Sequence, residues 1–239
     1  KCGLAYNRDL ILPKTGEVVV GLNPLVTADD TLLVGRVTDL EGNVQATLVH
    51  YAAHPTSLGG GNRMISPDYI GSMRELVERD TGGATCLFLH GADGDLTPRR
   101  SFENDVEAAD QNGRELGYSA LSVYAGLFPP GKKLGFDQRL ESGATLGIWR
   151  LQNFKPNSAF SILNDTIQLK LNNLPSVIEY LAEIEDADDE FTRERSRRAL
   201  ALRTKLGEGP FFDLPIYIWR LGKTVFIAAP VEFYSDFQI

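Results

Sequence analysis

The sequence predicts an α/β protein, with mixed β-sheets in the centre flanked by helices. Three observations predict it. An apolar strand over residues 84–89 runs through a polar, glycine-containing loop into a long amphipathic helix. A second strand, over 44–51, precedes another helix. Hairpin patterns at 32–51 and 214–229 supply antiparallel pairs at both ends of the chain.

Residues 32–38 and 44–51 are β-branched and apolar runs separated by Asp-Leu-Glu-Gly-Asn, which predicts a hairpin turning at Gly42-Asn43 and a strand that delivers His54. Ser66-Pro67-Asp68 follows the glycine-rich Gly59-Gly60-Gly61 loop. Ser at an N-cap with Pro at the first helical position signals a helix start. Ile70, Met73, Leu76 and Val77 then recur at helical spacing, before Gly82-Gly83. Asp68 falls in the first turn of that helix, where it either complements the helix dipole or serves a site. The next helix spans about 103–124, with Val106, Ala109, Leu116, Ala120 and Tyr124 on one side, and Phe128-Pro129-Pro130-Gly131 ends it. Residues 145–151 and 160–171 read as strands, and 175–185 begins a helix. The stretch 186–205 is densely charged but keeps Leu200, Leu202 and Leu206 as an apolar stripe, which predicts a solvated, salt-bridged helix. A hairpin of 214–221 and 224–229 turns at Gly222-Lys223.

At 239 residues the length allows one large domain or two small ones, and one is expected. With 43% hydrophobic and 23% charged residues the composition excludes disorder, collagen-like repeats and coiled coil. A net charge of −8 repels phosphate backbones, so nucleic acid is not an expected partner. The apolar runs fall short of the roughly 18 residues of a membrane span, so no transmembrane segment is expected. Cys2 and Cys86 are too few for a disulfide framework. The N-terminal Lys-Cys-Gly-Leu-Ala-Tyr-Asn-Arg shows no signal peptide, and a trimmed chain would look the same, so localisation stays open.

The histidines are His50, His54 and His90. His50 and His54 lie ~13 Å apart along a strand, so one metal cannot take both. The Tyr-Ala-Ala between them also lacks the glutamate of a zincin helix. His54 ends its strand before Pro55-Thr56-Ser57, which turns the chain and exposes the imidazole; a hydrogen-bonded structural histidine is the other reading. The loop Gly91-Ala-Asp93-Gly94-Asp95-Leu-Thr97-Pro98 can present N–H groups to an oxyanion but lacks the Gly-Lys-Ser/Thr of a phosphate loop. Asp93 and Asp95 either cap that loop or meet a hard cation. Glu232 follows Pro230-Val231 at another strand end.

Three motifs occur in order: Val49-His50-Tyr-Ala-Ala-His54-Pro-Thr-Ser, Ile65-Ser-Pro-Asp68-Tyr, and Phe88-Leu-His90-Gly-Ala-Asp93-Gly94-Asp95-Leu-Thr97-Pro98. Asn7-Arg8 lies upstream and Ile227-Ala-Ala-Pro-Val-Glu232-Phe downstream. This set resembles the catalytic domain of the neutral/alkaline ceramidase family, across nearly the whole chain. The resemblance implies a ceramidase-like α/β catalytic domain over 1–239 and a zinc-dependent amidohydrolase that cleaves an N-acyl, ceramide-like amide. It implies zinc held by His54 and Glu232, an arginine at Arg8 lining the site, and Thr97 in the place of the family's serine. Arg8, Asp68, Gly94 and Asp95 are the expected substrate contacts, and Thr97 and Arg8 the expected catalytic residues. The family also favours export.

This chain departs from the family pattern at several points. The Thr-His-Thr-His-Ser-Gly segment that carries another zinc-ligand histidine is not matched. Tyr234 follows Glu232 too closely to match the tyrosine ligand. The expectation is therefore a partial catalytic domain, with the remainder of the domain in further residues or another chain. A fold that binds without catalysing is the alternative. The short polar loop Gly59-Gly60-Gly61-Asn62 beside His54 makes a smaller or more polar N-acyl substrate as reasonable an expectation as ceramide.

Overall fold

The computed structural model describes residues 1–238. It has the α/β character expected: four small sheets with four helices and a terminal 3₁₀ turn. The strands are β1 (Ala5–Ile11), β2 (Val18–Asn23), β3 (Leu33–Thr38), β4 (Val44–Tyr51), β5 (Thr85–His90), β6 (Leu96–Pro98), β7 (Lys132–Glu141), β8 (Thr145–Asn153), β9 (Phe160–Lys170), β10 (Phe211–Leu221) and β11 (Thr224–Ala228). The helices are α1 (Tyr69–Asp80), α2 (Val106–Ala125), α3 (Val177–Asp186) and α4 (Glu190–Leu206). Two compact units result. The first comprises residues 1–155 with the segment from Glu232 onward, and the second Pro156–Val231.

The first unit is built around the mixed sheet β3-β4-β5, in which β4 pairs antiparallel with β3 and parallel with β5 through the α1 crossover. Because side chains alternate along a strand, Val49 and Tyr51 face one side. There they pack with Cys86, with Tyr69, Met73 and Val77 of α1, and with Leu116 and Ala120 of α2 into the core. Gly113 and Gly117 let the two helices touch: a Cβ on Gly113 would strike the Tyr69 carbonyl oxygen, and one on Gly117 would lie 2.7 Å from Leu76 Cδ2. The core tyrosines keep their hydroxyls satisfied as burial requires. Tyr51 donates to Cys2 O at 2.7 Å and accepts from Ala5 N at 2.8 Å, and Tyr69 donates to Ala53 O at 2.6 Å.

The sequence expectation is corrected at four places. The start of α1 is capped by Asp68, not Ser66; Ser66 Oγ accepts from Asp68 N at 3.0 Å, and the Asp68 carboxylate accepts from Tyr69 N at 2.7 Å. Asp68 therefore precedes the first turn, at φ 52°, a conformation Asp tolerates better than most residues. The loop over 91–98 is not wholly irregular, since 96–98 is β6 and pairs with β1. The pairs β1–β2 and β7–β8 include three strands, β1, β2 and β7, that periodicity did not mark, because each mixes charged or glycine residues into its apolar run.

In the second unit β9, β10 and β11 form an antiparallel sheet in the order β11-β10-β9, and α3 and α4 pair. The predicted hairpin appears as β10–β11, turning at Gly222 with φ 60°. The helix α4 carries the expected ion pairs, Arg193 to Glu190 at 2.8 Å and Arg198 to Glu194 at 3.0 Å. Among the described residues no helix is long and apolar enough to cross a membrane.

Candidate active site

The parallel register of β4 and β5 pairs Tyr51 with His90. His54, three residues past Tyr51, and Asp93, three past His90, therefore leave neighbouring strand ends together, where α/β sheets gather functional groups. His54 Nδ1 lies 2.8 Å from the Asp93 carbonyl oxygen and 2.9 Å from Asp93 Oδ2. His90 Nε2 lies 2.5 Å from the same Oδ2 and 3.1 Å from Ala53 O. The in-line partners of the two ring nitrogens are the main-chain carbonyls, so Oδ2 is a buried carboxylate oxygen flanked by two imidazoles without an in-line N–H of its own.

The other nitrogen of His54, Nε2, lies 3.1 Å from Glu232 Oε2. Arg8 stands beside the same carboxylate oxygen at 3.8 Å. Arg8 sits where the β1–β2 register shifts between Asn7 and Asp9, the kind of irregularity that re-aims a side chain. The loop Asp93–Asp95 holds these groups together. Arg8 N donates to Asp95 O at 2.8 Å and Arg8 Nε to Gly94 O at 2.9 Å. Gly94 N donates to Phe233 O at 2.7 Å, and a Cβ at Gly94 would lie 2.8 Å from Tyr234 Cδ1, so the close approach needs glycine. Asp95 accepts from Ser235 N at 2.7 Å, from Ser235 Oγ at 2.9 Å and from Asn7 Nδ2 at 3.3 Å.

Two of the expected residues lie apart from this cluster. Thr97 is fully buried, and its hydroxyl is shared with Thr56 Oγ1 at 2.8 Å and Ser101 Oγ at 2.6 Å. Ser101 has one proton and gives it to Pro98 O at 2.5 Å, so Thr97 donates to Ser101 and accepts from Thr56. The Asp68 carboxylate accepts from Ser57 N, Leu58 N and Tyr69 N, so both its oxygens hold the turn before α1. Asp68 also lines a groove of about 370 Å³, together with Pro55, Leu58, Asn62, Met64 and Ile70, that begins next to His54. His50 points away from the Val49–Tyr51 face; its Nδ1 has no hydrogen-bond partner among the described residues, and burial pushes its pKa down.

The charges follow from this packing. The Asp93 carboxylate, 2.9 Å from Nδ1, raises the pKa of His54, against burial and the Arg8 cation, which lower it. The same carboxylate raises His90, again against burial. Burial alone would push Asp93 up, but the two histidines outweigh it and hold the carboxyl down at about 2.

The fold matches solved structures. Over 98% of this chain the structure superposes on neutral ceramidase from Pseudomonas aeruginosa, with a TM-score of 0.54 and 15% identity, covering 39% of that chain. The fold is ceramidase-like. A ceramidase complexed with C2 matches with a TM-score of 0.50 and 17% identity, over 98% of this chain and 40% of that one. The chain thus spans about two fifths of the length of the ceramidases it matches. No protein-family model and no curated protein sequence matches it.

The zinc expected from the sequence resemblance has a donor spacing to meet. Two ligands on one tetrahedral zinc, each at about 2.0–2.1 Å, sit roughly 3.3 Å apart. His54 Nε2 and Glu232 Oε2, 3.1 Å apart with the ring's other nitrogen anchored, fit that spacing. Among the described residues no three His, Cys, Asp or Glu side chains come together to hold an ion, so a zinc here would find two protein donors where such sites use three or four.

Residue patterns alone did not bring Asp93 and His90 to His54, and did not mark Ser235. Asp93 was expected to cap its loop or meet a cation; it lies against the imidazole of His54. The signal was present in the equal three-residue offsets of His54 and Asp93 from paired positions on β4 and β5, but it becomes readable only once those strands are known to be parallel neighbours.

Proposed function

We propose that the chain carries part of the catalytic site of a zinc-dependent amidohydrolase of the ceramidase type, which cleaves an N-acyl amide. The observation that carries the reading is the convergence, within a ceramidase-like fold, of His54 Nε2 and Glu232 Oε2 at 3.1 Å with Arg8 alongside. Zinc bound there would supply Lewis acidity, polarising an amide carbonyl and acidifying a water. Of the chain's own groups, His54 and Glu232 would donate to the metal. Arg8, only 16% exposed at its side chain, offers a cation to the developing oxyanion. Gly94 and Asp95 lock the segment bearing Glu232, and Asp68 shapes the wall of the adjoining groove.

The groove sets the substrate class we favour. At about 370 Å³, open and edged by Asn62 and Asp68 as well as Met64 and Ile70, it suits a short or polar N-acyl compound as well as a ceramide. A second reading, a fold that binds N-acyl compounds without cleaving them, draws on Thr97, whose hydroxyl is fully buried and already committed to Ser101.

The test compares release of acid and amine from ceramide and from short N-acyl amines, with and without added zinc. The catalytic reading expects zinc-dependent turnover that His54→Ala and Glu232→Gln each lower by at least a hundredfold, and that Thr97→Ser preserves. Binding of the compounds without turnover, with Thr97→Ser equally inactive, supports the second reading. Full activity in His54→Ala overturns the first.

A further inference from the structure

His54 carries one proton when neutral, and two acceptor sets compete for it. Nδ1 faces the Asp93 carbonyl at 2.8 Å and Asp93 Oδ2 at 2.9 Å, whereas Nε2 faces Glu232 Oε2 at 3.1 Å. The two carboxylates differ in what surrounds them. The Asp93 side chain is 4% exposed, and that of Glu232 is 70% exposed. Solvent screens the pull of Glu232, while the buried carboxylate acts through a lower effective dielectric. The Asp93 side therefore wins the proton. We propose that Asp93, anchored by His90, is a positioning residue that keeps the proton of neutral His54 on Nδ1, leaving Nε2 bare and aimed beside Glu232 to accept a cation.

His90 contributes by geometry. Its Nε2 lies 2.5 Å from Asp93 Oδ2 and 3.1 Å from Ala53 O, so one ring spans the carboxylate and the residue that precedes His54. It thereby fixes the distance between Asp93 and the imidazole it orients. A carboxylate behind a metal-binding histidine fixes the tautomer and raises ligand basicity, and losing such a partner typically costs 10- to 100-fold in metal affinity. The identity of the cation as zinc rests on the function proposed above, but the choice of tautomer does not.

The experiment uses the whole chain, first free of metal. Ring-nitrogen NMR of the zinc-free protein, at a pH where His54 is neutral, reports which nitrogen carries the proton. The wild type is expected as the Nδ1–H form. Asp93→Asn, which keeps the main-chain acceptor at Nδ1 and removes the carboxylate charge, is expected to raise the Nε2–H population measurably above that of the wild type. His90→Gln, which keeps a donor toward Ala53 O, should stay close to wild type, and His90→Ala should fall between. A competition titration with a chromogenic chelator is then expected to show zinc held about 10- to 100-fold more weakly by Asp93→Asn. A wild type already in the Nε2–H form, or an Asp93→Asn protein with unchanged tautomer and zinc affinity, overturns the proposal; if the Asp93 variants do not fold, the wild-type tautomer together with His90→Ala decides. An Asp93-dependent tautomer in a protein that binds no zinc would sustain the positioning role and defeat the zinc reading. Tight zinc binding indifferent to Asp93 would do the reverse.

Discussion

Asp95 shows how a side chain beside the candidate site can govern it without touching the reacting groups. Its carboxylate accepts from Ser235 N, Ser235 Oγ and Asn7 Nδ2, all buried contacts, and so ties the segment following Glu232 to β1. Asp95→Ala strands the Ser235 N–H, which at about 1–3 kcal/mol for an unpaired buried donor should lower the melting temperature by several degrees. It should also weaken any activity that depends on Glu232, and a thermal melt alongside the amide-hydrolysis assay checks both. Stability against pH follows from the cluster at Asp93. His54 and His90 have pKa values raised by Asp93, so their contribution is fully present below the ordinary imidazole value of about 6.5 and is lost as pH rises through their folded values. Asp93 is held at about 2, so its contribution is present above the ordinary carboxylate value of about 3.9 and is lost as pH falls toward 2. Metal-free protein should therefore be most stable between about pH 4 and 6.5 as far as this cluster is concerned. Denaturant midpoints that keep rising above pH 7 in the wild type, or that keep the same pH dependence in Asp93→Asn, would contradict this. Zinc bound at Nε2, as proposed, would act in the opposite sense by competing with the proton there, so added zinc should stabilise more as pH rises.

At the scale of elements, the α1–α2 contact is the tightest joint near the site. Replacing a glycine by alanine inside an exposed helix stabilises by roughly 1 kcal/mol through propensity. Gly113→Ala should do the opposite, because the added Cβ meets the Tyr69 carbonyl oxygen at the start of α1. Overpacking of this kind costs about 1–3 kcal/mol. Tyr69 also donates to Ala53 O, so displacing α1 should disturb His54 as well as the core. Melting curves give the sign of the effect, and a Gly113→Ala protein more stable than wild type would show that the helices separate at no cost. These helices were legible in the sequence because Ile70, Met73 and Val77, and Leu116 and Ala120, recur at the spacing that buries one helical face. The strand β1 was not. Its Asn7, Arg8 and Asp9 interrupt the apolar alternation for reasons that belong to the site, since Asn7 and Arg8 contact the loop Asp93–Asp95.

At the scale of the whole molecule, much apolar surface stays open to solvent within each unit. In the second unit Ile162, Trp219 and Phe226 align across the sheet, with Phe160 and Leu221 alongside, and Phe160, Ile162, Trp219 and Leu221 are each more than half exposed. In the first unit Phe136 and Trp149 meet edge-to-face on the β7–β8 hairpin at 55% and 61% exposure. Contiguous apolar faces of this kind are covered in stable assemblies. The 239-residue chain by itself should therefore bind a hydrophobic dye such as ANS and self-associate in sedimentation. A monomer that binds no dye and unfolds in one cooperative transition would refute the expectation.

The sequence by itself determined most of the local elements and the place of His54 just past a strand end, because hydrophobic periodicity and turn residues act within a few positions of themselves. Arg8 and Glu232 were reached through resemblance to a family, since neither stands in a local pattern that marks it. The tertiary structure alone decided which of these residues meet. His54 and Glu232 meet across 178 positions, and Ser235 meets Asp95 across 140, distances at which no periodicity carries information. Asp93 acquired its place beside His54 from the parallel register of β4 and β5, and Thr97 is buried in the hydroxyl chain of Thr56 and Ser101. In each case the deciding quantity is which strand ends and loops pack side by side, and that is fixed by burial of the shared core rather than by any residue's neighbours in sequence.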